Sequence, residues 1–277
     1  MDGLEAFSLL FLGLTFLIYF NAFFVYLYAF LSKQESIGKA ANYALLAGFA
    51  THTASIAFRW AASGHLPGFS AYESFSVVAW FITGGYLVVE YRVKKLKVLG
   101  LFSTLVVALF LVQAATKYSE PGPPIPILKS PLISVHFSLM YVMAAALTVA
   151  GGSALLYLVA ERQMKGRKSF AWLRRLPALE VLDEVTYQAI LFGFPFLTLV
   201  MLTGTVRALQ VYVVAQDPVV LSRLVATSLV WVIYIVYLVL RMAAGWGGRK
   251  AAVLALSGFL GILVIRFVVV QYISHIV

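Results

Sequence analysis

The sequence predicts an all-α fold, a polytopic membrane helix bundle of about eight transmembrane helices with both termini outside. Three observations carry this. Of 277 residues, 62% are apolar and 12% charged, against about half and about a quarter in a soluble domain, and the mean hydropathy is +0.94. The apolar residues fall into eight long stretches, each near the roughly 20 residues a helix needs to cross the hydrocarbon core. Alternate loops take 15 of the 21 Lys and Arg residues.

The first span, 4–31, opens on the acids Asp2 and Glu5, and no small-residue cleavage site follows it. It therefore reads as a span and not as a signal peptide. Lys33 and Lys39 follow. The second span, 40–62, carries His52 near its middle and Arg59 near its end, and the third, 73–90, opens on Glu73. Glu73 serves either as a charge favoured at a helix N-terminus or as a partner for Arg59. Glu90 and Arg92 mark the third span's inner end, with Lys94, Lys95 and Lys97 beyond. After the fourth span, 98–116, Pro121-Gly-Pro-Pro-Ile-Pro126 makes a stiff outer loop. The fifth span, 132–160, places His136 in its first turns, and Gly151-Gly152 suggests close helix packing. The sixth, seventh and eighth spans cover 186–209, 221–241 and 251–272. Continuous runs of this length favour helices over a β-barrel, whose strands would be short and alternating. The basic loops belong inside, so both termini lie outside. No internal repeat is evident, and residues 1–277 read as a single transmembrane domain.

Several functions are excluded. With no cysteine, the chain has no disulfide, thiolate metal site or cysteine nucleophile. The net charge of +10 is explained by topology and is split among short loops, so no nucleic-acid partner is expected. There is no Walker sequence and no GxGxxG after a strand. Glu161, Glu180, Asp183 and Glu184 read as a solvated charged face, and no catalytic residue is assigned. Arg162 to Arg175, with Phe170 and Trp172, reads as an interfacial helix on the lipid bilayer.

Topology sorts the four histidines. His65, His136 and His275 fall at or near the outer face, far apart in sequence, while His52 lies within the membrane. Two imidazoles can hold a haem iron axially, and Arg59, Arg207 and Arg223 fall near the same face to neutralise propionates. The competing reading gives each outer histidine an ordinary interfacial hydrogen bond. An intramembrane histidine such as His52 is either functional or a helix-to-helix bond.

The outer loop reads Ser63-Gly64-His65-Leu66-Pro67 and then Ala71-Tyr72-Glu73-Ser74. The fifth span opens Leu132-Ile-Ser-Val-His136-Phe-Ser-Leu-Met. Leu182-Asp183-Glu184-Val185-Thr186-Tyr187-Gln188 precedes Gly193-Phe194-Pro195-Phe196 and Thr203-Gly204. The chain closes with Gly245-Trp246-Gly247-Gly248-Arg249-Lys250, an apolar span and His275. This ordered set resembles the CcsA/ResC family of cytochrome c biogenesis proteins, from about Thr51 onward. The resemblance implies a multi-pass protein of the plasma or inner membrane, active on its outer face, that presents non-covalent b-type haem for attachment to apocytochrome c. His136 and His275 match the family's two axial ligands. A CcsB/ResB-like membrane partner is implied, with which the chain would form part of a cytochrome c haem lyase. By location, Arg207, Arg223, Tyr212, Asp217 and His52 are further haem contacts.

Two departures stand out. The family's tryptophan-rich motif, approximately WGxxWxWDPxE, is matched by Gly204 to Val220, where Asp217-Pro218 survives but Gln216 replaces the preceding tryptophan. The family's histidine near the inner end of span seven is matched by Val239 in Tyr237-Leu-Val-Leu-Arg241, which leaves His52 as a remaining half of an intramembrane pair or as unrelated. The alternative reading is thus a non-catalytic relative, a regulator of haem biosynthesis or a structural subunit of a membrane complex. A transporter with His52 and Arg266 along its path is a third.

Overall fold

A computed structural model describes residues 3–32, 34–93, 96–122, 130–165, 176–215 and 218–266, which form eight helices and no strand. The helices are α1 (Gly3–Ser32), α2 (Glu35–Ser63), α3 (Ala71–Arg92), α4 (Lys97–Thr116), α5 (Pro131–Lys165), α6 (Leu179–Ala215), α7 (Pro218–Ala244) and α8 (Gly248–Val264). The chain is a multi-pass membrane protein. Among the described residues, six of the helices are long and apolar enough to cross a bilayer. The other two are α2, which carries His52 and Arg59, and α8, described over 17 residues. The expected spans sit on these helices in order. The largest difference is α6, which starts at Leu179 where the apolar run starts at Thr186. Glu180, Asp183 and Glu184 are helical too, because backbone hydrogen bonding does not stop where apolarity does.

The chain divides into two compact units, Met1–Ser130 with Phe170–Pro177, and Pro131–Ser169 with Ala178–Val277. In the first, α1 packs on α2 and α4, and α3 on α2 and α4. The buried positions of α1 are Glu5, Ser8, Leu12, Thr15, Tyr19, Ala22 and Tyr26. Those of α2 include Ala41, Leu45, His52, Ser55 and Arg59. Both follow the alternating three- and four-residue spacing of helices crossing at a shallow angle. The polarity is reversed relative to a soluble bundle. The buried stripe of α1 is rich in hydroxyls, while Phe7, Leu10, Leu14, Leu17, Phe20 and Phe24 are exposed. In lipid, small and polar residues join helices and apolar ones face outward. Ser8 and Ser55 each donate to the other's backbone carbonyl, at 3.0 and 2.8 Å, and Thr15 meets Thr51 at 2.9 Å. Tyr26 donates to Asn42, whose amide donates to Glu90.

In the second unit α5 packs on α6 and α8, and α7 on α6 and α8. Gly151 is required where α5 meets α8, since a Cβ there would lie 2.3 Å from the Phe259 ring, as the glycine pair suggested. Near the start of α6, Asp183 is not a solvated charge. It pairs with Arg241 at 2.7 Å, with under a fifth of each side chain exposed, and accepts the Gly248 N–H at 3.1 Å. Arg241 also donates to the Trp246 carbonyl at 2.9 Å. The turn between α7 and α8 is thereby clamped to α6, with Gly245 and Gly248 taking the left-handed conformation it needs (φ +63° and +69°).

Candidate functional site

The end of the second unit away from its basic loops is where α5 begins. His136 stands in the second turn of α5 and is half-buried against α6. Its Nδ1 lies 2.9 Å from the Thr203 hydroxyl. That hydroxyl donates to the Leu199 carbonyl at 2.7 Å, which leaves its lone pairs facing the imidazole. The Val200 carbonyl, another acceptor, also faces the ring. A neutral imidazole carries one proton, and with Nδ1 protonated the lone pair is on Nε2, where a metal would be bound. Gly204 gives the ring room, since a Cβ there would lie 3.2 Å from His136 Cε1. Thr203 and Gly204 continue the buried stripe of α6 through Ile190, Gly193, Leu197 and Val200, which brings them to α5 and not to its outer surface.

The register of α6 and α7 sets the depth of the cations. Trp231 donates to Thr198 at 3.0 Å, and Ser228 approaches the Met201 sulfur at 4.0 Å. Five residues further along, Arg223 is level with residue 206 or 207 of α6. It is thus two or three residues, ~3–4.5 Å of helix rise, beyond Gly204 and His136 in the direction of the α6–α7 turn. Arg223 is exposed and in electrostatic reach of Arg266, which lies near Tyr141. Thr203-Gly204 was visible as a motif, but its partner was not, because no sequence pattern states which residue of another helix fills a small-residue gap.

The other expected residues fall as follows. Arg207 and Tyr212 are on α6, with side chains outside the described set, and Asp217 and His275 lie outside the described residues. The expected stiff loop lies outside them from residue 123 on, and of the expected interfacial helix, Arg162 to Arg175, only 162–165 are described, as the end of α5. His52 is fully buried in the first unit. Its Nε2 is 3.0 Å from the Ser76 hydroxyl and its Nδ1 3.5 Å from the Tyr19 hydroxyl. This is the helix-to-helix bond, one of its two readings. Val239, the position the resemblance matched to an inner histidine, is 55% exposed on α7. His65 faces the carbonyls of Leu66 and Gly122, both at 3.0 Å.

A separate polar cluster lies where α2 ends and α3 begins in the first unit. Both expectations for Glu73 hold together. It completes a capping box with Ser70 at the start of α3, and it accepts from Arg59 Nε at 2.8 Å in a pair almost wholly buried. Arg59 further donates to the Ser119 carbonyl at 2.9 Å and lies over the Tyr72 ring. A small cavity beside them is lined by Ser8, Ser55, Arg59, Tyr72, Glu73 and Ser76. Tyr118 donates to Glu5 nearby. Loss of hydration and that carboxylate push the Tyr118 phenol up to about 12, so the donor keeps its proton at neutral pH.

Comparison with known proteins gives a consistent picture. Residues 69–277 match the family described as Cytochrome C assembly protein, a stretch that begins just before α3. The chain is 31% identical over 214 residues to "Cytochrome c biogenesis protein CcsA" of Chlamydomonas reinhardtii, covering 73% of this chain and 57% of that protein. It is 28% identical over 231 residues to the protein of the same name from Guillardia theta, covering 76% of this chain and 75% of the relative. The one from Prochlorococcus marinus (strain MIT 9301) is 30% identical over 236 residues, with 76% and 75% covered.

Proposed function

Because the chain belongs to the cytochrome c assembly protein family, we propose that it is a haem-handling membrane protein of cytochrome c biogenesis, offering haem at the outer face of the plasma or inner membrane for attachment to apocytochrome c. The observation that carries this reading is the His136 imidazole, held against the Thr203 hydroxyl at the end of the second unit where α5 begins. A neutral imidazole with the Arg223 cation ~3–4.5 Å further along the helix axis is a donor set that suits an iron porphyrin bearing carboxylates. When bound, haem supplies the iron and the vinyl groups that become joined to the cysteines of the apocytochrome. This chain has no cysteine, so its own residues bind and orient.

His136 is the ligand on α5, and His275 is the second. Two contacts set the register of α5 against α8. Gly151 faces Phe259 and Glu161 approaches Arg249, so each residue outward along α5 is matched by one further along α8. The reading requires the chain beyond Arg266, which lies outside the described residues, to reach His136. Arg223 neutralises one propionate, and Arg207, Tyr212 and Asp217 line the same end. A CcsB/ResB-like protein is the membrane partner, and together the two make the haem lyase.

Cells lacking this protein should accumulate apocytochrome c without haem. The wild type should restore covalent haem staining of cytochrome c, and His136→Ala should not. Restoration by His136→Ala at equal protein level would refute the reading. The loss of tryptophan before Asp217 and of histidine at 239 favours the alternative of a non-catalytic relative. That alternative predicts that the wild type fails to restore staining yet co-purifies with an enzyme of tetrapyrrole synthesis.

A further inference from the structure

Threonines on these helices commonly turn their hydroxyl back to the carbonyl four residues earlier. Thr15, Thr83, Thr148, Thr186 and Thr205 all do so, at 2.7–2.9 Å. A hydroxyl committed in this way keeps its lone pairs and can only accept from a further partner. Two cases in the chain show the outcome without ambiguity, because an indole N–H can only donate. Thr53 donates to Phe49 and accepts from Trp80 Nε1 at 2.8 Å. Thr198 donates to Phe194 and accepts from Trp231 Nε1 at 3.0 Å. Thr203, five residues beyond Thr198 on the same helix, has the same arrangement with an imidazole in place of the indole.

We propose that Thr203 is a positioning residue that fixes His136 in its Nδ1–H tautomer and so presents Nε2 as the metal-ligating nitrogen, with Gly204 leaving the space in which the ring is held. The proposal rests on the haem reading above for the purpose of the device, but the device is a property of the chain alone. Metal-bound histidines ordinarily give their second nitrogen to an acceptor that sets tautomer and ring orientation. Here the acceptor is a neutral hydroxyl from the neighbouring helix. It orients the ring without adding the negative charge that a carboxylate would bring to the iron. Gly204 makes the contact specific, since a methyl group there would press on Cε1, the carbon between the two ring nitrogens, and turn the ring off the hydroxyl.

The test uses the full chain in nanodiscs. With ¹⁵N-labelled histidine, the four imidazoles are resolved, and His136 is assigned by its loss in His136→Ala. Wild type and Thr203→Ser should show His136 as the Nδ1–H tautomer. Thr203→Val should shift it toward Nε2–H, with Thr203→Ala as the second variant should valine prevent folding. In a titration with hemin, Thr203→Val or Thr203→Ala should bind about 10- to 100-fold more weakly than wild type, and Thr203→Ser should match wild type. If His136→Ala abolishes hemin binding while both Thr203 variants keep the tautomer and the affinity, the proposal is overturned and the haem reading stands. If His136→Ala binds hemin as wild type does, both are overturned.

Discussion

Replacing Glu73 by glutamine would leave a cation stranded inside the first unit. The Arg59 and Glu73 side chains are 5% and 2% exposed. The carboxylate gathers Arg59 Nε at 2.8 Å and the backbone N–H groups of Gly68 and Phe69 at 3.0 and 3.2 Å. Removing one partner of a buried pair costs about 3–5 kcal/mol, because the remaining charge stays desolvated, whereas removing both is far less damaging. Glu73→Gln and Arg59→Met should each lose about that much stability. The double variant should lose less than the sum by 2 kcal/mol or more, on the order of a thirty-fold coupling. The assay is a double-mutant cycle by equilibrium unfolding in mixed micelles titrated with a denaturing detergent. Additivity within about 0.5 kcal/mol, as for sites that do not interact, would refute the reasoning.

Further outcomes follow from other contacts. Gly151→Val should cost about 1–3 kcal/mol through overpacking against Phe259, whereas Gly13→Ala, with nothing within 4 Å of its added Cβ, should be neutral or gain up to about 1 kcal/mol. Thermal unfolding of the two purified variants separates them. Asp183→Ala removes the partner of Arg241 and of the Gly248 N–H. It should cost about 1–3 kcal/mol and raise proteolytic cutting in the α7–α8 turn.

The element order was legible in the sequence because apolar length and alternating Lys and Arg are chain-level quantities. Helix ends were less so, as the charged first turns of α6 show. Glu73 offered two roles and the structure combines them, since the capping position at Ser70 also brings the carboxylate to Arg59. Asp183 was misjudged because a carboxylate among basic loops looks solvated until the turn that Gly245 and Gly248 permit is known. At the candidate site, His136 stood out by residue type and depth. Thr203 did not, because its meaning depends on where one helix stripe meets another. Val239 shows the converse, a substitution plain in the sequence whose position only the fold reveals to be exposed.

The most direct test of the central claim is the absorption spectrum of the purified full chain, reduced and oxidised, before and after addition of hemin. The account predicts low-spin Soret and α bands that require both His136 and His275 and disappear in His136→Ala and His275→Ala. A folded wild type that stays colourless with hemin present, or one whose bands survive both substitutions, would contradict it.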